Sequence, residues 1–498
     1  MIQFFSAGRF GRPLAVVLAA LIAMLAAPSP LPAQTASQPA AQGEPSAGPP
    51  GNSPPLIRVD EAVSMALRNN LSLEAAGVSR DAKKRNSDVR WNVFIPTVDL
   101  AGNLLYPNEA TTGTTLIPVP SGVAGLYLVT PYEYDIHQWR LAGSLSISLN
   151  LNFSYFEQMR NIRLDYEGGL ITYEKAKIQL ERDVRKSYIQ LLLLQEQIAL
   201  LRESMATAQR RVNMAQANYQ NGLVSELSFL QAQVALENLK PTLDQAENGY
   251  KLAMANFAMY LGLPYDTEFE LEPIPGETVF IPLEVAELIR QAASGKPDIM
   301  ELRHSILVLQ SLRRQVAYQL RTPTLSLAWN ADPAFTKDPM KDNWFNGDDW
   351  KQSAGMFRMT LAFRLNTLFP FTTEGSNLRN LDSNLRSLNI GLAQAVRGTE
   401  LEIYSTVFTL EQARSTVEAQ RMTVDLAERT YQLTEQAYQA GLSELLEVQN
   451  AELELRRARL GILEQNYNYM RGLIDLEYSI GVPFGTLSNA ETRSGDTE

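Results

Sequence analysis

The sequence predicts a mainly α-helical protein with a membrane β-barrel part. It should form long coiled-coil helical hairpins in two repeats, plus four transmembrane β-strands per chain that cannot close a barrel alone. Three observations carry this. Apolar seams stepping by four and three residues run much further than a globular core needs. Two segments alternate apolar and small polar residues with period two. The body of the chain is written twice, at an offset of 219 residues.

Composition sets the outer bounds. The 498 residues are 45% hydrophobic and 20% charged, which excludes a disordered polymer. There is no Cys, so disulfides, thiolate metal sites, cysteine nucleophiles and lipid attachment through an N-terminal Cys are all excluded. Two His, His137 and His304, are too few for a His-based metal cluster. A formal charge of −11 argues against nucleic acid as a partner.

The N-terminal segment has the features of an export signal. Arg9 and Arg12 precede an apolar run from Leu14 to Ala27, followed by Pro-Ser-Pro-Leu-Pro-Ala-Gln. This is a charged, then apolar, then small-residue order with cleavage near Ala33–Gln34, giving a signal peptide over 1–33. The run is shorter than the roughly 20 residues a spanning helix needs. Losing Arg9 and Arg12 takes the charge from −11 to −13. Residues 34–55 are Ala, Gln, Ser, Gly and Pro with one charge, Glu44, and read as a flexible linker. No other stretch is apolar enough for a polytopic helical transporter.

The duplication defines a first repeat over 56–280 and a second over 281–485, with a tail over 486–498. Tyr219, Gly222, Leu223, Leu227 and Ala232 meet Tyr438, Gly441, Leu442, Leu446 and Ala451 without a gap, and Gly262-Leu-Pro264 meets Gly481-Val-Pro483. Upstream, Phe94-Ile-Pro96-Thr-Val-Asp-Leu resembles Arg321-Thr-Pro323-Thr-Leu-Ser-Leu. A period this long suggests two similar half-subunits, not a solenoid.

Each half carries a coiled-coil stripe. The first runs Leu194, Ile198, Leu201, Met205, Ala208, Val212, Ala215, Tyr219; the second runs Ala413, Val417, Gln420, Val424, Ala427, Tyr431, Thr434, Tyr438. Such spacing holds one seam against a partner helix. Helices of about 156–221 and 374–440 would each be about 100 Å long, which implies an extended rod or tube. Gly222 and Gly441 end them, since glycine tolerates the positive φ found just past a helix C-terminus. Return helices follow at about 224–260 and 443–480. Pro241 should kink the first of these; its counterpart is Leu460.

The opposite ends of the long helices read as strands. Leu141, Gly143, Leu145, Ile147, Leu149, Leu151 and Phe153 share one face, with Ala, Ser and Asn on the other. Phe357, Met359, Leu361, Phe363 and Leu365 answer in the second half. Shorter partners start after Pro96 and Pro323. This gives strand hairpins over 96–154 and 323–366, with loops near 107–139 and 331–353. The strands reach the 9–11 residues needed to cross a membrane. Their Ser/Asn/Thr face suits a watery lumen. Aromatics including Tyr106, Tyr127, Tyr132, Tyr134, Trp139, Trp329, Trp344, Phe345 and Trp350 suit an interface girdle. Four strands are too few for a barrel, and an open edge in lipid leaves backbone groups unpaired, so copies must combine. Three would supply twelve strands; the strand count itself does not set the number.

Signal peptide, duplicated halves, strand hairpins between very long helices and Tyr-x-x-Gly-Leu tips together resemble the TolC-type outer membrane efflux proteins. The resemblance implies a homotrimer: a twelve-stranded barrel in outer membrane lipid joined to a helical barrel in the periplasm. It implies a channel-tunnel that serves as passive exit duct of a tripartite efflux or type I secretion system, with a periplasmic adaptor and an inner-membrane transporter as partners. It further implies adaptor docking at the tips, through Tyr219, Gly222, Leu223, Ser225, Tyr438, Gly441, Leu442 and Ser443. The family's acidic periplasmic aperture maps onto Glu447 and Asn450, where the second acid is an amide, and onto Ser228 and Gln231 in the first half. Tyr155-Phe156-Glu157-Gln158-Met159 replaces a glycine-rich turn common in the family.

Catalytic patterns are absent: no His-Glu-x-x-His, P-loop, Gly-x-Gly-x-x-Gly or Gly-x-Ser-x-Gly occurs. The expectation is no enzyme, no cofactor and no metal site, with His137 and His304 as surface or packing residues. The alternative is a non-transport periplasmic coiled-coil scaffold anchored at the outer membrane. The aromatic and acidic loop holding Trp344, Asp348, Asp349 and Trp350 has no assigned role.

Overall fold

The computed structural model describes residues 55–106, 112–118, 127–133, 139–274, 280–343, 346–351, 355–365, 369, 371–440 and 442–487. The expected signal peptide, nearly all of the linker, most of the C-terminal tail, and Tyr134, His137, Trp344, Phe345 and Gly441 lie outside the described residues.

The first half begins with β1 (Leu56–Ile57), α1 (Val59–Asn69) and α2 (Leu71–Asp88), then a 3-10 turn over Arg90–Phe94. The Asn70 side chain separates the two helices by accepting from the N–H groups of Ser72 and Leu73 at 3.0 and 3.1 Å, an N-cap that satisfies donors the helix cannot. Strands β2 (Thr97–Leu105), β3 (Thr112–Pro118), β4 (Tyr127–Glu133) and β5 (Arg140–Leu151) follow. Then come α3 (Ser154–Gln220), α4 (Glu226–Tyr260) and β6 (Glu270–Leu271). The second half repeats the plan: α5 (Val285–Gly295), α6 (Pro297–Arg321), β7 (Thr324–Ala331), β8 (Ala334–Phe335), β9 (Trp350–Lys351), β10 (Gly355–Ala362), α7 (Thr373–Gln439) and α8 (Leu445–Ile480).

The long helices α3 and α7 are 67 residues each, about 100 Å, and begin two and one residues before the sequence-predicted starts. Among the described residues, no helix is long and apolar enough to cross a membrane. The predicted seams hold. Ile198, Ala208, Val212 and Ala215 are buried, as are Ala413 and Val417; the remaining seam residues are half-buried except Tyr219, which is exposed at the tip. Helix α4 runs on through Pro241.

The strands form one antiparallel sheet in the order β2–β5–β7–β10, with the β5–β7 pairing joining the two halves. Rows across it have uniform chemistry. Val98, Ile147, Trp329 and Phe357 form one row, and Leu149, Leu327 and Met359 another. On the opposite face run Thr97–Ser148–Ala328–Arg358 and Asn150–Ser326–Thr360. Alternating Cβ directions place these sets on different faces. β2 and β10 are exposed along their whole length, and their outer edges have no partner strand within the described residues.

The structure corrects the expected loops and strand ends. The alternation read through residue 154 stops at Leu151, because the Asn152 side chain accepts from Ser154 N–H at 2.8 Å and opens α3. The second-half strand ends at Ala362, short of Phe363 and Leu365. The loop predicted over 107–139 contains the hairpin β3–β4. Its register continues that of β2–β5: from Leu105↔Arg140 to Thr112↔Glu133, both strands advance by seven residues (105 to 112, 140 to 133). The loop predicted over 331–353 is partly strand. β8 keeps the β7 register against β5, pairing Ala334 with Ala142, and β9 pairs with β8. The remainder is closed by Lys337–Asp349 at 2.9 Å and by Phe335 against Trp350 at 5.4 Å between ring centroids. These strands escaped sequence reading because Pro118, Pro131 and Pro333 break the alternation.

Two cores anchor the hairpin bases. The first surrounds Tyr188, Leu191, Phe257 and Leu261; the second surrounds Ile403, Leu410, Tyr469 and Leu476. Burying such side chains contributes roughly 1.5–3 kcal/mol each.

Candidate functional site

The two tips share one backbone hydrogen bond. After α3, Gly222 has φ +70°; its N–H donates to Tyr219 O at 2.9 Å and Leu223 N–H donates to Asn218 O at 2.8 Å. This pair of bonds satisfies carbonyls the helix end would orphan. The second tip repeats the longer bond, from Leu442 N–H to Ala437 O at 2.8 Å.

The turn thrusts one leucine outward at each tip: Leu223 is 72% exposed and Leu442 84%. Leu227 and Leu446, in the first turn of the return helices, are also exposed. Tyr219 stacks on Phe229 with centroids 6.1 Å apart and an interplanar angle of 2°. Ser225 is the N-cap of α4, accepting from Ser228 N–H at 3.2 Å. Glu444, its counterpart, makes no such cap. Tyr438 is drawn inward, packing with Leu445 against Ala208, Val212 and Leu236 of the first hairpin. The expected docking residues therefore separate. Leu223, Leu442 and Gly222 face solvent; Tyr219 and Ser225 are exposed but also held within the chain, as are the half-buried Tyr438 and Ser443.

Ser443 Oγ hydrogen-bonds the Glu447 carboxylate. Glu447 and Asn450 are exposed, one turn apart on α8, and line a cleft of about 440 Å³ with Thr430, Thr434 and Glu454. In the first half, Ser228 is half-buried and Gln231 exposed, and both are uncharged.

Sequence reading missed the buried ion pair just above the tips. Arg211, 6% exposed, pairs with Glu452, and its Nη2 donates to Tyr431 Oη at 3.0 Å. Burial opposes its charge, but Glu452 and Tyr431 hold the guanidinium protonated above its ordinary value. The available signal was an arginine in the middle of the stripe, between Ala208 and Val212. His304 proves a packing residue: its Nε2 lies 2.7 Å from Leu164 O, and its ring abuts Gly168. Among the described residues, no group of three or more His, Cys, Asp or Glu is placed to hold a metal.

Comparison with known proteins agrees with this architecture. The profile of the outer membrane efflux protein family matches residues 62–263 and 288–482, one segment per half. The outer membrane protein TolC of Escherichia coli (strain K12) is 22% identical over 205 residues, covering 41% of this chain and 40% of TolC. The fold is similar to that of the CmeC outer membrane channel of Campylobacter jejuni, with TM-score 0.66 at 14% identity over 88% of this chain and 89% of CmeC. It is also similar to the outer membrane protein VceC of Vibrio cholerae, with TM-score 0.64 at 15% identity over 86% and 96% of the two chains. A match spanning most of both halves makes this chain a member of the outer membrane efflux protein family, with its sheet in the outer membrane and its helices in the periplasm.

Proposed function

We propose that the chain is the passive exit duct of a tripartite efflux or type I secretion system, working as a homotrimer. The observation that supports this best is the sheet. It carries mostly apolar rows on one face, rows rich in Ser, Asn and Thr on the other, and two edges without a partner strand among the described residues. In lipid those edges must find partners, and β2 of one copy against β10 of the next closes a twelve-stranded barrel with a polar lumen. Cargo handed over by an inner-membrane transporter passes through the helical tube without being chemically changed.

The exposed leucines at the tips dock a periplasmic adaptor through apolar burial against its own helices. Glu447, repeated by symmetry, forms a single carboxylate ring at the periplasmic aperture that favours cations. Opening follows from an adaptor that binds the dilated state more tightly than the closed one.

The test is conductance. Detergent-purified protein should run as a heat-resistant oligomer and conduct ions in planar bilayers, with cation selectivity weakened by Glu447→Gln. A water-soluble monomer that needs no detergent would overturn the reading. Replacing both Leu223 and Leu442 by Asp should abolish adaptor cross-linking while leaving conductance intact.

A further inference from the structure

The periplasmic end of the sheet carries a basic cavity. β5 has 12 residues, about 40 Å of strand. Tilted by about 40°, it spans about 30 Å, the thickness of the hydrocarbon core. Aromatic rings bracket it. Tyr106 and Trp139, with centroids 5.0 Å apart, mark its start, and Phe153 and Phe156, both exposed, lie just past its end. Phe94 packs on Phe156 and on Trp91, each at 6.0 Å between centroids, and Trp91 is exposed. Trp91 also lines a cavity of about 420 Å³. With Arg90 of the same 3-10 turn it forms one wall; Arg160, Arg163 and Glu167 of α3 form the other. The buried Met159 and Leu164 make the floor. Arg160 stands about 9 Å along α3 from its start at Ser154.

The cavity faces away from the tube axis. α3 meets α2 at Gly169, beside Lys83, and at Tyr173, beside Gly77. It meets α6 at Glu157, Asn161 and Gly168, against Ser311, Gln315 and His304. At about 100° per residue these two contact lines lie about 120° apart around α3. In a closed tube the flanking helices lie toward the concave side, so the wider arc is the outer surface. Phe156, Arg160, Arg163 and Glu167 all fall within about 40° of the centre of that arc. Three guanidiniums here meet one carboxylate. Glu167 accepts from Arg163 at 2.9 Å, and Arg90 Nη1 donates to Ser87 O at 2.9 Å. Arg160 is exposed and has no hydrogen bond or ion pair among the described residues. Asp88, the acid closest to Arg90 along the chain, does not line the cavity. The second half does not repeat the cluster. Asp382 stands for Arg163 and pairs with Arg313, and Ala317 stands for Arg90 when Pro96 and Pro323 are aligned. Arg379 alone keeps the charge of its counterpart, Arg160.

We propose that this cavity binds the phosphate of an anionic phospholipid from the periplasmic leaflet of the outer membrane, one per chain. A guanidinium stays charged and offers paired N–H donors to phosphate oxygens, and the cavity keeps a surplus of positive charge. Basic pockets at headgroup height attract anionic lipid. Exposed rings at the same height suit a membrane interface, which favours a lipid over a free anion. The acyl chains then lie along the apolar face of the sheet, past Leu149 and Ile147. The bound lipid bridges the turn that enters β2 and the helix that leaves β5, and so fixes the depth of the sheet. The proposal rests on the trimeric reading above, which decides the outer surface, and adds a ligand to it.

Native mass spectrometry of the full chain in mild detergent, titrated with phosphatidylglycerol, should show one tightly retained lipid per chain of the trimer. Diacylglycerol with the same acyl chains, which lacks the phosphate, should not be retained. In R160Q/R163Q the affinity should fall about thirtyfold, for two charges lost at the membrane surface. Both side chains are exposed, so the trimer should persist. R379Q, at the repeat position, should bind as wild type does. Excess inorganic phosphate at constant ionic strength should displace none of the lipid; displacement makes this a free-anion site and overturns the lipid assignment. Equal retention of diacylglycerol, wild-type affinity in R160Q/R163Q, or an equal loss in R379Q overturns the proposal and leaves the trimer standing. A monomeric wild type overturns both.

Discussion

The bases of the two hairpins are copies in backbone but not in chemistry. Gly262 and Gly481 have φ of +73° and +72°, and each lies against backbone. A Cβ would meet Asn69 O at 2.3 Å in the first half and Gly295 C at 2.3 Å in the second. Their surroundings then diverge. The first half buries Ala258 where the second buries Glu477, whose carboxylate accepts from Gly485 N–H at 2.9 Å and Leu487 N–H at 2.8 Å. The first core takes its tyrosine from α3, with Tyr188 Oη 2.7 Å from Glu272 O. The second takes Tyr469 from α8, which accepts from Ile281 N–H at 3.0 Å. Duplication preserved the geometry that closes a hairpin and left each half free to fill the space differently.

The largest effect tests the shared part. Gly262→Ala and Gly481→Ala should both abolish assembly of heat-resistant oligomers. The added methyl overlaps backbone, and the left-handed conformation alone costs roughly 1–2 kcal/mol. If either variant assembled normally, the two bases would not be equivalent.

Next is the link present in only one arrangement. Glu452→Ala leaves Arg211 buried without its partner and should cost about 3 kcal/mol in thermal or denaturant unfolding. Gln233→Ala, at the counterpart position, should cost well under about 1 kcal/mol. Equal losses would erase the distinction between the two halves.

Tyr188→Phe should cost about 1 kcal/mol by removing the hydroxyl that satisfies buried carbonyls. Burial also pushes the Tyr188 hydroxyl up to about 12, so it stays protonated through neutral pH. Gly222→Ala has the same φ to satisfy but open space around it, and should cost about 1 kcal/mol with oligomers retained.

The smallest effect is in pH. Burial raises the Glu477 carboxyl above its ordinary value, against the opposing N–H groups of Leu487 and Gly485. The folded protein therefore binds this proton more tightly than the unfolded chain. Its contribution is complete below the ordinary carboxylate value and is lost as pH rises through the raised one. The melting temperature should fall slightly as pH rises above the ordinary carboxylate range, and Glu477→Ala, which restores the residue of the first half, should flatten that slope.

Much of this was legible in the residues. The stripes from Leu194 to Tyr219 and Ala413 to Tyr438 gave the long helices, because an apolar seam repeating at helical spacing has one packing solution. The alternation from Leu141 gave the strand facing two media. The tip glycines followed from the match of Tyr219–Ala232 with Tyr438–Ala451. The strands β3, β4, β8 and β9 were hidden, because proline removes a ladder donor and breaks the pattern while the register continues past it. The Arg211–Glu452–Tyr431 link was hidden for a different reason: its members lie on three helices, and no spacing along the chain connects them.

By itself, then, the sequence determined the periods, and with them the helices, the strands, the duplication and the positions of the turns, since these depend on neighbours a few residues apart. Only the tertiary structure decided which helix faces which, that β5 meets β7, and that Arg211 of α3 is buried against Glu452 of α8. Those choices depend on side chains that approach one another only after the chain has folded.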